Sequence, residues 1–334
     1  MNRKQSKKCI AWLVAALLLC LLLTGCGEVR QDVDDAYALF DTTSDYISYE
    51  TAVDSGSDIS LFASDLCVGG IENSDAFLET VDKAKTEAVF SLADGEVTYA
   101  NNIYKKRYPA STTKILTAYV ALKYGDPDQM ITVSQSAMSI LDPDSSVCDL
   151  VVGDQLTLRD LLYGLMLESG NDAALVIAEA VGGSVEGFAD MMNEEAESLG
   201  ATQSHFVNPH GIPDADRYTT AYDMYLIFQA ALENEDFLDI ISTDSYTASY
   251  LDKDGDKVEQ LWVNTNGYLN GSYDIPEGVT VIGGKTGTAD SSGSCLVLYS
   301  ENLSGDPIIS IVLGADDHSD LYECMSDLLS NFAN

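Results

Sequence analysis

Three short polar motifs, each beside a predicted helix or strand, constrain this chain more than any other feature of its sequence. Ser111-Thr112-Thr113-Lys114, Ser169-Gly170-Asn171 and Lys285-Thr286-Gly287 follow one another in this order. Together they supply a nucleophile with a nearby amine, a second hydroxyl with an amide, and a cation on a strand, which is the chemistry of serine acyl transfer. A fold that uses all three must bring distant segments of the chain to one cleft.

The first motif provides a serine that needs no histidine. Residues three apart lie on the same face of a helix, so the amine of Lys114 can reach the hydroxyl of Ser111. Lysine acts as a base only when burial or a nearby positive charge lowers its pKa, and Lys285 is the candidate for that charge. Ser111 is the only serine in the chain with a lysine three residues later. We therefore predict Ser111 as nucleophile and Lys114 as its base.

The second motif lies between two predicted helices, in a loop that can direct its side chains into a cleft. Asn171 offers both a donor and an acceptor, which suits the amide of a substrate. Ser169 can pass a proton to a leaving amine. We predict that both residues belong to the site.

The third motif follows an apolar strand. Lys285 is a point charge for a carboxylate, Thr286 adds a hydroxyl, and Gly287 lets a substrate backbone come close. A phosphate-binding loop would require glycine six residues before the lysine, where this chain has Val279. The motif therefore predicts carboxylate binding rather than nucleotide binding.

The order of the predicted elements indicates the fold class. Asp94-Gly95, between Ala88–Leu92 and Val97–Tyr99, predicts a hairpin. The later elements are predicted helices over Ser111–Tyr124, Leu158–Leu167, Asn171–Val181, Ser184–Leu199 and Thr219–Glu233, strands over Val279–Gly283, Cys295–Ser300 and Ile308–Leu313, and a helix over Asp320–Phe332. We predict an α+β fold, with an antiparallel sheet of about five strands built from both chain ends, helices on both sides and an inserted helical lobe.

The N-terminus has the pattern of an exported lipoprotein. Basic residues precede the apolar run Ile10–Leu23, which is short for a bilayer span, and Leu23-Thr24-Gly25-Cys26 resembles a bacterial lipobox. We expect residues 1–25 to be a lipoprotein signal peptide and Cys26 to carry lipid, with an ordinary signal peptide or an uncleaved anchor as alternatives. Residues 26–75 are predicted to form a flexible acidic tether. The protein would then be extracytoplasmic, lipid-anchored to the outer face of the bacterial cytoplasmic membrane.

Charge and composition exclude several functions. The net charge of −37 argues against nucleic acid as a partner and against a polybasic membrane patch. The histidines lack useful ligand spacing, so we predict no metal and no cofactor, and we interpret His210 as structural. Four cysteines follow Cys26, and we expect free buried thiols or at most one disulfide among Cys67, Cys148, Cys295 and Cys324.

These motifs make the chain resemble the D-alanyl-D-alanine carboxypeptidases, which are low-molecular-mass penicillin-binding proteins of the serine β-lactamase/transpeptidase-like superfamily. The resemblance runs from about Ala88 to the C-terminus. It is carried by Pro109-Ala110-Ser111-Thr112-Thr113-Lys114, by Leu161–Leu165 with Glu168–Ala174, and by Phe206-Val207-Asn208-Pro209-His210-Gly211. It implies a serine D,D-peptidase catalytic domain over residues 76–334. We expect no C-terminal β domain after it.

The resemblance also implies roles for the motif residues. Ser111 would attack the carbonyl of the penultimate D-alanine of a peptidoglycan stem peptide, with Lys114 as base and Ser169 assisting proton transfer. The backbone N–H groups of Ser111 and Thr288 would form the oxyanion hole. The substrate-binding residues would be Asn171, Lys285, Thr286, Gly287 and Thr288. β-Lactam antibiotics would acylate Ser111, and we expect a monomer.

The chain departs from the family pattern after its last arginine, Arg217, because relatives often place a later arginine near the substrate carboxylate. It also has Thr288-Ala289-Asp290 where relatives more often have a bulky residue followed by Thr. A β-lactamase or a D,D-endopeptidase with the same site remains an alternative, although the Ser-Asp-Asn of class A β-lactamases is missing. A catalytically inactive wall-binding module is the alternative of a different class.

Overall fold

In a computed structural model of this chain, the structure describes residues 66–68, 72–74, 78, 80 and 82–333. The predicted signal peptide, Cys26 and most of the predicted tether lie outside these residues. Within the described part, no helix combines the length and the apolar character that crossing a membrane requires.

The strands form two antiparallel sheets. One sheet has five strands in the order β2-β1-β9-β8-β7, and the other has four in the order β3-β4-β5-β6. The strands are β1 (Thr86–Ser91), β2 (Glu96–Asn101), β3 (Met130–Thr132), β4 (Gln155–Thr157), β5 (Ser245–Leu251), β6 (Lys257–Val263), β7 (Thr280–Ala289), β8 (Gly293–Glu301) and β9 (Pro307–Ala315). The five-stranded sheet combines β1 and β2 with three strands from the other end of the chain, so the predicted fold class is confirmed.

Eight α-helices accompany the sheets in the described residues. They are α1 (Lys114–Tyr124), α2 (Gln135–Ser139), α3 (Leu158–Leu167), α4 (Asn171–Gly182), α5 (Val185–Ser198), α6 (Ala221–Leu232), α7 (Glu235–Ser242) and α8 (His318–Phe332). A 3-10 turn, Ala110–Thr113, precedes α1. The helix predicted from Ser111 therefore starts three residues later. The start of α3 carries a capping box, in which Thr157 and Asp160 each accept the other's backbone N–H.

Helices cover both faces of the five-stranded sheet. Ile309 and Ile311 of β9 belong to a core shared with α1 and α6, whereas Ile308 and Val312 belong to a second core shared with α8. A strand that is buried on both faces has no polar side to alternate with its apolar side. This explains why Ile308–Leu313 is an almost unbroken apolar run.

The four-stranded sheet, α2 and α7 were not predicted from the sequence. The strands β3 and β4 have only three residues each, and alternate residues of β6 are exposed. This small sheet packs beside the helical lobe through Trp262, which is buried against Gly164 of α3. Its strands β5 and β6 lie between α7 and the loop before β7 in the chain. β7 forms one wall of the candidate active-site cleft.

Candidate active site

Ser111 lies in the 3-10 turn at the base of a cleft, where two glycines allow other segments to approach its backbone. A Cβ on Gly287 of β7 would lie 2.7 Å from the Ser111 nitrogen, and a Cβ on Gly211 would lie 2.1 Å from the Ala110 carbonyl oxygen. Real Cβ atoms do not come that close to other heavy atoms. The sequence therefore needs glycine at both positions to bring β7 and the 208–212 turn against Ser111 and Ala110.

Lys114 is the first residue of α1 and is completely buried. Its Nζ lies 3.2 Å from Ser111 Oγ, 2.7 Å from Asn171 Oδ1 and 2.7 Å from the carbonyl oxygen of His210. Burial, together with the positive charge of Lys285, holds the pKa of Lys114 well below its usual value. A neutral amine has two N–H donors, which Asn171 and His210 accept, and its lone pair remains for the Ser111 hydroxyl.

The second motif is held in place by a buried carboxylate. Ser169 has a φ of 60°, and Asn171 begins α4 while its N–H donates to the Ser146 carbonyl at 2.8 Å. Asp172 accepts the N–H groups of Cys148 and Leu150. These bonds fix the loop before α3 beside the motif. Within the described part of the chain, no hydrogen bond links the Ser169 hydroxyl to Ser111 or Lys114.

We predicted that the third motif would follow a strand that ends at Gly283. In the structure the strand continues, and the motif lies within β7 itself. This strand is an edge of the five-stranded sheet. Lys285 is buried, its Nζ donates to the Thr286 carbonyl at 3.0 Å, and burial lowers its pKa to about 7. The Thr286 hydroxyl lies 2.8 Å from the hydroxyl of Thr265, and that of exposed Thr288 lies 3.2 Å from His318 Nε2.

A cleft of about 220 Å³ is lined by Ser111 and Asn171 of the first two motifs and by Thr288, which follows the third motif, whereas the other predicted site residues are not in its lining. Residues of two loops outside the three motifs, at 142–146 and 211–213, line it as well. The second loop follows the Asn208-Pro209-His210-Gly211 segment, whose proline and glycine signal a tight turn. The first loop had no comparable signal beyond Pro143.

A family model described as D-alanyl-D-alanine carboxypeptidase matches residues 76–317. The chain belongs to this family. The matched region contains all three motifs and every strand of both sheets. The resemblance inferred from the motifs is therefore confirmed, and the chain is a serine-type hydrolase of this family.

Several relatives carry the same name. A D-alanyl-D-alanine carboxypeptidase of a Streptomyces species is 34% identical over 231 residues, covering 66% of this chain and 77% of that protein. DacA of Haemophilus influenzae is 32% identical and covers 69% of this chain and 57% of that protein. DacD of Escherichia coli is 32% identical and covers 66% and 56%. The chain thus spans little more than half the length of the last two relatives.

Solved structures of relatives have the same fold. The crystal structure of a Streptomyces DD-transpeptidase is 30% identical, with a TM-score of 0.69, and covers 77% of this chain and 97% of that chain. A D-alanyl-D-alanine carboxypeptidase from Mycobacterium tuberculosis is 27% identical, with a TM-score of 0.64, and covers 79% and 94%.

The four described cysteines are free and buried, as expected. His210 is buried, its Nδ1 accepts the Ile212 N–H at 3.2 Å, and burial lowers the pKa of its ring to about 3, so the ring is neutral. Its backbone carbonyl contacts Lys114, which the sequence did not indicate. Among the described residues, no group of three His, Cys, Asp or Glu side chains could hold a metal ion.

Proposed function

We propose that this member of the carboxypeptidase family removes the terminal D-alanine from peptidoglycan stem peptides through an acyl-enzyme on Ser111. One observation carries the proposal. The buried Lys114 Nζ lies 3.2 Å from Ser111 Oγ, and the Asn171 Oδ1 and His210 carbonyl oxygens accept from it at 2.7 Å, which in the neutral amine leaves the lone pair for Ser111. This is the arrangement of a nucleophile with an adjacent base.

The acylation step follows from this arrangement. Ser111 Oγ attacks the carbonyl carbon of the penultimate D-alanine while its proton moves to Lys114 Nζ. The N–H groups of Ser111 and Thr288 donate hydrogen bonds to the carbonyl oxygen and stabilise the negative charge that develops on it. The C–N bond then breaks, and Ser169 assists transfer of the proton from Lys114 to the leaving D-alanine nitrogen. Water hydrolyses the remaining ester and restores the Ser111 hydroxyl.

The wall of the cleft that β7 forms, the strand wall, supplies substrate recognition. Because β7 is an edge strand, an extended peptide can pair with its free backbone groups. Lys285 and Thr286 then bind the terminal carboxylate, and Asn171 binds the amide before the scissile bond. Gly287 leaves space for the peptide backbone. A β-lactam offers a similar carboxylate and a strained amide, so it acylates Ser111 as well.

A labelling experiment tests the acyl-enzyme. The full 334-residue chain in mild detergent is mixed with a fluorescent penicillin, and covalent label is followed over time with Ser111→Ala as control. Stable label that the variant lacks supports the carboxypeptidase. Label that decays within seconds supports a β-lactamase instead, and a folded but unlabelled protein supports the inactive wall-binding module.

A second assay separates the peptidase activities. The chain is incubated with a peptide ending in D-Ala-D-Ala, with and without an amine acceptor, and with a crosslinked dimer. Release of D-alanine alone supports the carboxypeptidase, whereas cleavage of the dimer supports an endopeptidase. Transfer to the amine supports a DD-transpeptidase, the name carried by the Streptomyces structure described above.

We further propose that residues 1–25 are removed as a lipoprotein signal peptide, that Cys26 is lipidated, and that residues 26–75 tether a catalytic domain over 76–334. The basic start, the apolar run and Leu23-Thr24-Gly25-Cys26 support this. The enzyme then works outside the cytoplasm as a monomer, since its charge of −37 opposes self-association. Lipid mass on Cys26 and its loss in Cys26→Ser test the anchor, and light scattering tests the monomer.

A further inference from the structure

Arg217 is a buried cation with unused donors behind the cleft. Its side chain is fully buried, and only its Nη1 is hydrogen bonded, to the Ile212 carbonyl and to Asn208 Oδ1. Its Nε and Nη2 are buried without a partner, and no ion pair joins the guanidinium to a carboxylate within the described residues. Burial of an unpaired charge is costly, so its presence here needs an explanation.

The one bonded nitrogen holds the turn that touches Lys114 and Ser111. Asn208 accepts the N–H of Gly211 at 2.8 Å and donates to the Ile212 carbonyl at 3.1 Å. Nη1 of Arg217 donates to the same two oxygens, Asn208 Oδ1 and the Ile212 carbonyl, so it holds the two ends of the 208–212 turn together. The His210 carbonyl of this turn accepts from Lys114, and its Gly211 lies against Ala110.

The charge of Arg217 acts on the same lysine. Burial lowers the pKa of the guanidinium to about 10, which leaves it cationic at neutral pH. Besides burial, the charges of Lys285 on β7 and of Arg217 lower the pKa of Lys114, while Asp172 on α4 and Cys148 raise it. The neighbouring His210 ring is neutral. Arg217 is therefore one of two buried cations that oppose protonation of the base.

We propose that Arg217 is a positioning residue for acyl transfer: Nη1 holds the 208–212 turn against Lys114, and the buried guanidinium, which has no ion pair among the described residues, places a second positive charge near this lysine. This inference rests on the proposed acyl-enzyme function. It explains why a guanidinium with two unpartnered nitrogens is retained in the interior.

The pH dependence of acylation tests the charge. The rate constant for acylation of the full chain by a chromogenic cephalosporin is measured from pH 4.5 to 9. In Arg217→Met the acidic limb moves to higher pH by about one unit, because a nearby cation has been removed. Asp172→Asn moves it the opposite way, because a nearby anion has been removed. Arg217→Lys, which keeps the charge, leaves the limb near its original position.

A matched arginine controls for general effects. Arg159 of α3 is partly exposed and pairs with Asp236 and Asp128 away from the cleft. Arg159→Met should leave the acidic limb in place. The turn is tested separately, since Arg217→Lys loses the two-acceptor contact and should lower the maximal acylation rate at the pH optimum.

The outcomes separate the two proposals. A wild-type chain that is not acylated refutes the proposed function itself. An acylated wild type whose acidic limb is unmoved in Arg217→Met, with only the melting temperature lowered, overturns this inference and makes Arg217 a structural residue. If Arg217→Met does not fold, Arg217→Gln decides, because it removes the charge and keeps N–H donors for the turn: a limb shifted to higher pH supports the charge role, and an unmoved limb overturns it.

Discussion

The cleft has a helical wall, formed by α1 and α4, and a strand wall, formed by β7. Each wall contains a buried lysine, and the two lysines differ in their hydrogen-bond partners. On the helical wall, Lys114 donates to a side-chain oxygen of Asn171 and to the His210 carbonyl, both at 2.7 Å. On the strand wall, Lys285 donates only to the Thr286 carbonyl among the described residues. In its neutral form, Lys114 has both N–H donors in hydrogen bonds and its lone pair free. Lys285 has N–H donors left for a ligand.

The difference separates chemistry from recognition. An amine whose N–H groups are occupied can accept a proton from a hydroxyl, and an amine with free N–H groups can bind a carboxylate. Both depend on burial, which lowers the pKa of each lysine. The fold achieves this by placing one lysine at a helix start and the other within an edge strand.

The largest expected effect is on the helical wall. Lys114→Met should lower the acylation rate about 10²–10⁴-fold for every β-lactam, because the general base is lost. At a pH above the acidic limb, where loss of the Lys285 charge no longer changes the protonation of Lys114, Lys285→Met should cost about 10–100-fold for a β-lactam with a free carboxylate and little for its methyl ester, because charge-assisted binding of the carboxylate is lost. Stopped-flow acylation with both compounds measures the difference. Equal losses for acid and ester in Lys285→Met would contradict the division of labour between the walls.

The next effect concerns the contact between the walls. Gly287→Ala should lower acylation about 10²–10³-fold, because its Cβ would displace β7 from the Ser111 N–H of the proposed oxyanion hole. Gly283→Ala is the matched control on the same strand, since its Cβ would clash with the Ile241 carbonyl instead. It should lower the melting temperature but not the acylation rate. If the two variants lose equal activity, the approach of β7 to Ser111 has no special role.

A smaller effect is expected from pH on the strand wall. The pKa of Lys285 is lowered to about 7, so its ammonium form is present below that pH and is lost above it. Carboxylate binding should therefore weaken as pH rises past 7, by up to about tenfold per unit. The ratio of kcat/KM for a carboxylate β-lactam to that for its methyl ester measures this between pH 6 and 9. A constant ratio would show that Lys285 does not titrate in this range.

The sequence predicted β1, β8 and β9 of the five-stranded sheet because these strands are buried, largely apolar runs. Cys295–Ser300 and Ile308–Leu313 lie within β8 and β9, and Asp94-Gly95 does connect β1 and β2. The four-stranded sheet escaped because very short strands and half-exposed strands have weak periodicity. The local hydrophobic pattern was thus sufficient to predict strands that are buried on both faces. It failed for strands that are defined only by their pairing with distant segments of the chain.

The candidate site likewise has features that the sequence predicts and features that it does not. The closeness of Ser111 and Lys114 follows from their spacing, although the serine lies in a 3-10 turn and not in the helix. The His210 carbonyl and the Arg217 guanidinium could not be predicted, because their contacts depend on how the 208–212 turn packs against α1. A backbone carbonyl has no residue type to reveal it, and a buried arginine looks like a surface one in a sequence.

The smallest expected effect tests whether the helical wall tolerates a local loss of stability. Thr157→Ala removes the capping box of α3, the helix that ends just before the Ser169 loop. It should cost about 1 kcal/mol of unfolding free energy, because the N–H of Asp160 loses its acceptor. Acylation should not change, since α4 and Asp172 hold Asn171 independently of that cap. Urea denaturation and stopped-flow acylation measure the two quantities. A loss of acylation as large as that of Gly287→Ala would show that the helical wall depends on α3 for its geometry.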